Sequence, residues 1–248
     1  MELAFNTNIG KRRQVNQDFL FATREKIGSL PNLFFVCDGM GGEKAGGYAS
    51  KRASELIINY LENRKETDVN INLLSFALNI ANLDLFNKQT TNRDYEGMGT
   101  TFVGGYINYE KLFVGNIGDS RCYHIRSLIK QVTHDHSLVE ELVKRGEIKR
   151  NSKEYIERKN VITKALGVES KLRPDFFEVE LMVGDFILFC SDGLTNMLSD
   201  NEIFDIVRST KTIDEKVNWL IEEANRKGGR DNISIILIEI DKIERSGS

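Results

Sequence analysis

Four times in this chain an aspartate and a small residue stand at the end of an apolar, strand-like run. In FFVCDGMGG (34–42) a buried strand, Phe34 to Cys37, meets Asp38 and then three glycines within four residues. In FILFCSDGLTNML (186–198) the run Phe186–Cys190 ends in Ser191-Asp192-Gly193. LFVGNIGDSR (112–121) ends its strand at Asp119, and in GGRDNISIILIEI (228–240) Asp231 precedes the strand Ile233–Ile240. One Asp-Gly pair after a strand is an ordinary turn signal. Turns alone need not choose aspartate each time, whereas a site that gathers carboxylates around a cation does.

The order of elements sets the fold class. Short strands are expected near 2–7, 18–24 and 33–38. A helix follows over about 44–63, where Ala45, Ala49, Ala53, Leu56, Ile57 and Tyr60 recur at helical spacing, and another over about 71–89. Residues 99–132 read as a strand meander, strands return at 176–181 and 186–190, helices occupy about 200–208 and 212–226, and a last strand spans 233–240. Strand runs followed by helix pairs indicate an α+β fold, and two antiparallel sheets covered by helices would satisfy that order. With 248 residues, two prolines and no Gly/Ser- or Pro-rich linker, residues 1–248 are expected to form a single domain. Residues 137–160 are dense in charge and poor in apolar residues, which suggests a mobile surface flap. Trp219, beside Val217 and Leu220, is expected in the core.

The formal charge of −3 gives no global basic surface, so nucleic acid is not an expected partner. No apolar run reaches membrane-spanning length, and MELAFNTNIGKRR lacks the hydrophobic stretch of a signal peptide. The three cysteines, Cys37, Cys122 and Cys190, all lie in or beside strand-like runs and read as reduced, packed thiols. Together these point to a cytoplasmic protein without a membrane partner.

Aspartate oxygens select hard cations, whereas zinc favours Cys and His. Three histidines, no C-x-x-C and no H-E-x-x-H argue against zinc, and the EF-hand spacing is absent. Mg²⁺ or Mn²⁺ remains, and a pair of such ions can activate water against phosphorus. GKRRQVNQD (10–18) offers Arg12, Arg13, Asn16 and Asp18; KRR alone reads better as a solvated turn, but beside a carboxylate cluster a guanidinium that clamps two phosphate oxygens becomes the better reading. Other phosphate chemistries fail on the letters. There is no G-x-x-x-x-G-K-[ST] and no H-R-D loop. Six positions after the cysteines stand Glu43, Leu128 and Asn196, not the arginine of a cysteine phosphatase.

In sequence order RQVNQD (13–18), CDGMGG (37–42), GMGTT (97–101), GNIGDSRCY (115–123), THDHS (133–137), ITKALG (162–167), CSDGLTNML (190–198) and GGRDNIS (228–234) resemble the motifs of the metal-dependent, type 2C serine/threonine protein phosphatases in their compact bacterial form. The resemblance implies a four-layer αββα sandwich with a binuclear Mn²⁺/Mg²⁺ centre at one end, and hydrolysis of phosphoserine and phosphothreonine by a metal-bridged hydroxide. Asp38 would bridge the metals, with the Gly39 carbonyl on one and Asp192 and Asp231 on the other. Asp18 would act through metal-held water, Arg13 would bind the substrate phosphate, Asp119 would share a weaker third ion with Asp192, and Asn232 would support the ligands. The implied partners are phosphoproteins, the targets of an opposing serine/threonine kinase and that kinase itself, acted on by a monomer.

Three positions depart from the family pattern. Met40 stands where many eukaryotic members carry a histidine, which leaves the leaving group's proton to metal-bound water. Gln17 replaces a frequent glutamate, and Lys164 a common arginine. Two alternatives stay open: an inactive phosphoprotein-binding relative, and a non-protein phosphoesterase of the same fold. His124 and His134 read as structural or surface residues, His136 as an anchor for the charged stretch, and Gly99, Thr100 and Thr101 as the floor of the site or plain strand.

Overall fold

The computed structural model describes residues 1–42, 44–65, 69–150 and 152–243. Asn151, within the charged stretch 137–160, lies outside them. One sheet runs β1 (Glu2–Asn8), β11 (Ile233–Glu239), β10 (Phe186–Cys190), β7 (Arg121–Ile125), β8 (Ile129–Gln131). The other runs β2 (Asp18–Thr23), β3 (Leu33–Met40), β5 (Phe102–Asn108), β6 (Lys111–Ile117), β9 (Asp175–Glu180), with the two-residue β4 (Gly99–Thr100) on β3. Every pairing in both sheets is antiparallel.

The apolar runs have no polar alternation because their sheets are covered on both faces. Strand side chains alternate between faces. Phe34 and Val36 point into the layer between the sheets, where they meet Val103, Cys122, Phe189 and Ile236. Phe35 and Cys37 point the other way, against α1 (Ala45–Glu62) and α2 (Ile71–Thr91). On the far sheet Leu188, Cys190, Ile235 and Leu237 face α6 (Asp200–Val207) and α7 (Ile213–Arg226). The result is the expected αββα order of layers. The alanines of α1, buried at Ala45, Ala49 and Ala53, let it lie close on the sheet. Both α6 and α7 begin with a capping box, Ser199 with Glu202 and Thr212 with Glu215, which fixes where each helix starts.

Two expectations change. Trp219 is 37% exposed, with the Lys211 ammonium 5.6 Å from its ring centroid. The buried stripe of α7 is Ile213, Val217, Leu220, Ile221 and Ala224, and two positions past Val217 a helix has turned roughly 200° away. β3 also runs two residues past its expected end at 38. β3 continues through Asp38, Gly39 and Met40, because Asp18 pairs opposite Asp38 and β4 pairs with Gly39 and Met40. The charged stretch holds two short helices, α3 (Leu138–Lys144) and α4 (Lys153–Arg158).

Candidate active site

Strand register brings the aspartates to one end of the sandwich. Asp18 opens β2 directly opposite Asp38. In the other sheet Cys190 pairs with both Arg121 and Ile235, so Asp119 and Asp192, each two residues beyond those positions, emerge at the same end as Asp231, two residues before β11 begins. Asp192 begins a one-turn helix, α5 (Asp192–Thr195).

The backbone around Asp38 is fixed from β4. The Asp38 carbonyl accepts from Thr101 N at 2.8 Å and Thr100 Oγ1 at 2.9 Å. Asp38 N donates to Thr101 Oγ1 at 2.9 Å, and that hydroxyl lies 2.8 Å from Ser120 Oγ in the turn that carries Asp119. Thr100 and Thr101 are therefore part of the floor. Gly39 sits under the start of α1, where a Cβ would come 2.0 Å from the Gly46 carbonyl oxygen. His136 straps the Asp119 turn: its N donates to Gly118 O at 2.9 Å, and its Nδ1 accepts from Gly118 N at 3.1 Å. Thr163 N donates to His136 O at 2.8 Å, which ties the same histidine to the far end of the charged stretch.

Asn232 closes the other side. Its Nδ2 donates to Ile9 O and Val15 O at 2.9 and 3.0 Å, and its Oδ1 accepts from Gln17 N at 2.9 Å. One buried amide thus ties both ends of the loop bearing Arg13, whose Lys11 and Arg12 amides also donate to Gly229 O. Gln17 Nε2 donates to Gly42 O at 2.7 Å, a backbone contact that a glutamate could not make as an ionised acceptor. Lys164 lies away from the carboxylates, in a cavity of about 380 Å³ with Glu141 and Glu169.

The carboxylates have more acceptor oxygens than donors. Asp18 Oδ2 accepts from Ser191 Oγ at 2.8 Å and Asp192 Oδ2 from Asn196 Nδ2 at 2.8 Å. Their other oxygens, Asp18 Oδ1 and Asp192 Oδ1, are buried without a partner, as is Asp119 Oδ1. Desolvation, compounded by neighbouring aspartates, raises Asp18 to about 7 and Asp192 to about 6. The same causes push Asp38 and Asp119 well above the usual carboxylate range. Like charges in such a site cannot all ionise unless a cation joins them. Asp231 Oδ2 accepts from Arg13 Nη2 at 2.7 Å. Among the described residues no group of three or more His, Cys, Asp or Glu side chains already stands arranged to hold a metal. The fit to a divalent cation rests instead on the donor set: oxygen ligands only, buried, and short of partners.

The structure brings Arg13, Asp18, Asp38, Gly39, Asp119, Asp192 and Asp231 to this one end. Sequence reasoning missed Ser191 and Asn196. Asn196 carried a signal, lying four residues after Asp192 on one helical turn. Ser191 carried none beyond adjacency.

The Protein phosphatase 2C family profile matches residues 8–228. The serine/threonine phosphatase stp of Listeria monocytogenes is 35% identical over 99% of this chain and 98% of its own. The protein phosphatase PhpP of Streptococcus pneumoniae is 37% identical over 98% of each chain. Among solved structures, the S. agalactiae serine/threonine phosphatase superposes with a TM-score of 0.90 at 33% identity, covering 96% of this chain and 99% of that one. The catalytic domain of the serine/threonine protein phosphatase PstP, in complex with 2 manganese ions, does so at 0.84 with 29% identity, covering 97% and 98%. A carboxylate end built for hard cations, on this sandwich and with these relatives over nearly its whole length, makes the chain a member of the protein phosphatase 2C family of metal-dependent serine/threonine phosphatases.

Proposed function

We propose that the chain hydrolyses phosphoserine and phosphothreonine in proteins through Arg13, Asp18, Asp38, Asp192 and Asp231. The observation that carries the assignment is the set of buried, unpartnered oxygens on Asp18, Asp119 and Asp192 beside Asp38 and Asp231. Asp38, the Gly39 carbonyl, Asp192 and Asp231 would hold two divalent cations, Mn²⁺ or Mg²⁺. Asp18 would act through water, and Asp119 would share a third, weaker ion with Asp192. Such ions, when bound, supply Lewis acidity toward phosphoryl oxygens and lower the pKa of water.

The chain's own groups do the rest. Arg13, on a loop fixed by Asn232, orients the phosphate with its planar fork. Ser191 holds one oxygen of Asp18 so that the other faces the site. No side-chain nucleophile is required, and the three cysteines are buried in the layers. Met40 cannot donate a proton, so the leaving oxygen takes one from water. The substrates are proteins phosphorylated by an opposing serine/threonine kinase, and that kinase, and the enzyme works as a single-domain monomer. Among the described residues no helix is long and apolar enough to cross a membrane. Three free buried thiols suit a reducing cytoplasm.

Calorimetric titration with Mn²⁺ tests the ligand assignment. Asp119→Asn should keep two tight sites, lose a weak third, stay folded and hydrolyse far more slowly. Loss of the two tight sites, or near wild-type turnover, would show that Asp119 is misassigned.

A further inference from the structure

Beside Asp119 and Asp192 lies a cavity of about 490 Å³. Its far wall comes from the charged stretch and includes Arg150, Tyr155 and Lys159. That wall has little to hold it. α4 contributes no buried residue, and Ile156, its apolar side chain, is 59% exposed. Among the described residues, Arg150 and Tyr155 are both fastened by one carboxylate. Glu140, on α3, has a side chain only 8% exposed, unlike its neighbour Glu141 at 43%. Its Oε1 accepts from Tyr155 Oη at 2.7 Å, and its Oε2 accepts from Arg150 Nη2 at 2.5 Å.

α3 itself is anchored independently of Glu140. Val139 is buried, Leu138 N donates to Val161 O at 2.8 Å, and Ser137 bridges to Ile162. Glu140 therefore projects from a fixed helix to grip a loosely packed one. A buried carboxylate normally needs a charged partner and a second donor to offset its desolvation. Among the described residues, Glu140 finds both on the cavity wall.

We propose that Glu140 is a positioning residue that clasps Tyr155 and Arg150 into the wall of the cavity beside Asp119 and Asp192, and so sets how well a phosphorylated peptide, rather than a small phosphate ester, is accepted. This rests on the phosphatase reading of the carboxylate end. A peptide must lie against the wall, because the residues flanking the phosphorylated one extend beyond the carboxylates. A small aryl phosphate reaches Arg13 and the carboxylates without touching it. The ordering of Arg150 and Tyr155 before substrate arrives lowers the entropy lost on binding. It makes no difference to a ligand that does not meet them.

The test measures kcat and KM with Mn²⁺ for a phosphothreonine peptide and for p-nitrophenyl phosphate, in wild type, Glu140→Ala, Glu140→Gln and Tyr155→Phe. Glu140→Ala should raise the peptide KM roughly tenfold, the worth of one hydrogen bond to a charged group, and leave both constants for the aryl phosphate within about twofold. Glu140→Gln keeps an acceptor for Tyr155 and loses the charge facing Arg150, so its peptide KM should fall between. Tyr155→Phe should raise the peptide KM alone. Hydrogen exchange supplies a second readout: amides of 153–158 should exchange faster in Glu140→Ala, with those of α7 unchanged. Equal losses on both substrates would reduce Glu140 to a general structural role and overturn the proposal, as would an unchanged peptide KM with unchanged exchange. If Glu140→Ala does not fold, Glu140→Gln and Tyr155→Phe decide by the same split. Wild-type protein inert on both substrates would instead overturn the catalytic reading and take the clasp with it; an active wild type with insensitive variants overturns the clasp alone.

Discussion

At the scale of single residues, the carboxylates are buried together at a cost that retained protons or a bound cation offset. Asp18 illustrates it: burial lifts its carboxyl from an ordinary 3.8 to about 7. In metal-stripped protein the folded state then keeps a proton that the unfolded chain releases. Between pH of about 4 and about 7 the native state binds more protons, so stability falls as pH rises through that window. Asp18→Asn removes the charge and keeps an acceptor for Ser191. Without metal it should show a flatter pH dependence than wild type and greater stability at pH 8, on the order of 1–3 kcal/mol. Urea denaturation at pH 4.5, 6 and 8 reads both. A wild-type chain that gains stability relative to the variant as pH rises would contradict the electrostatics described. Arg13 makes a separate claim. Its guanidinium is nearly half exposed and paired with Asp231. Arg13→Ala should raise KM for a phosphopeptide roughly 10- to 100-fold, the worth of a charge-assisted hydrogen bond. If the clamp tightens on the transition state, kcat falls as well. Unchanged values of both would remove Arg13 from the phosphate.

At the scale of elements, β3 positions the site. The four residues Phe34 to Cys37 read correctly from sequence as buried strand, and Asp119, Asp192 and Asp231 do lie just beyond strand ends, whereas Asp38 lies inside β3. The continuation through Gly39 and Met40 was not legible, because Asp-Gly reads locally as a turn and only pairing with β2 and β4 overrides it. Trp219 misled for a related reason: proximity in sequence to Val217 and Leu220 says nothing about helical phase. α4 was hidden because too few apolar residues mark a helical stripe, α3 because its stripe of Leu138, Val139, Leu142 and Val143 covers only seven residues inside a charged stretch, and α5 because one turn is too short to show a period. The pairing of Arg13 with Asp231 spans 218 positions and leaves no local trace. Gly39, by contrast, has a clear structural reason. Any Cβ there collides with the carbonyl of Gly46 at the start of α1. Gly39→Ala should destabilise even the metal-free protein, by about 1–3 kcal/mol or more, as overpacking against backbone does. A urea midpoint equal to wild type would show that α1 can move aside.

At the scale of the whole molecule, two sheets covered on both outer faces form a rigid block whose one end gathers the carboxylates. The proposed site lies at that end, where loops and strand termini can expose polar groups that the layers cannot. Membership of the protein phosphatase 2C family supports a protein serine/threonine phosphatase over a non-protein phosphoesterase of the same shape. It also makes the reaction metal-dependent, which agrees with buried oxygens that lack partners. The most direct measurement is hydrolysis of a phosphothreonine peptide by the purified protein after chelation, followed by titration with Mn²⁺ or Mg²⁺. Activity should vanish on chelation and return with either ion. Full turnover by the metal-stripped protein would contradict the account.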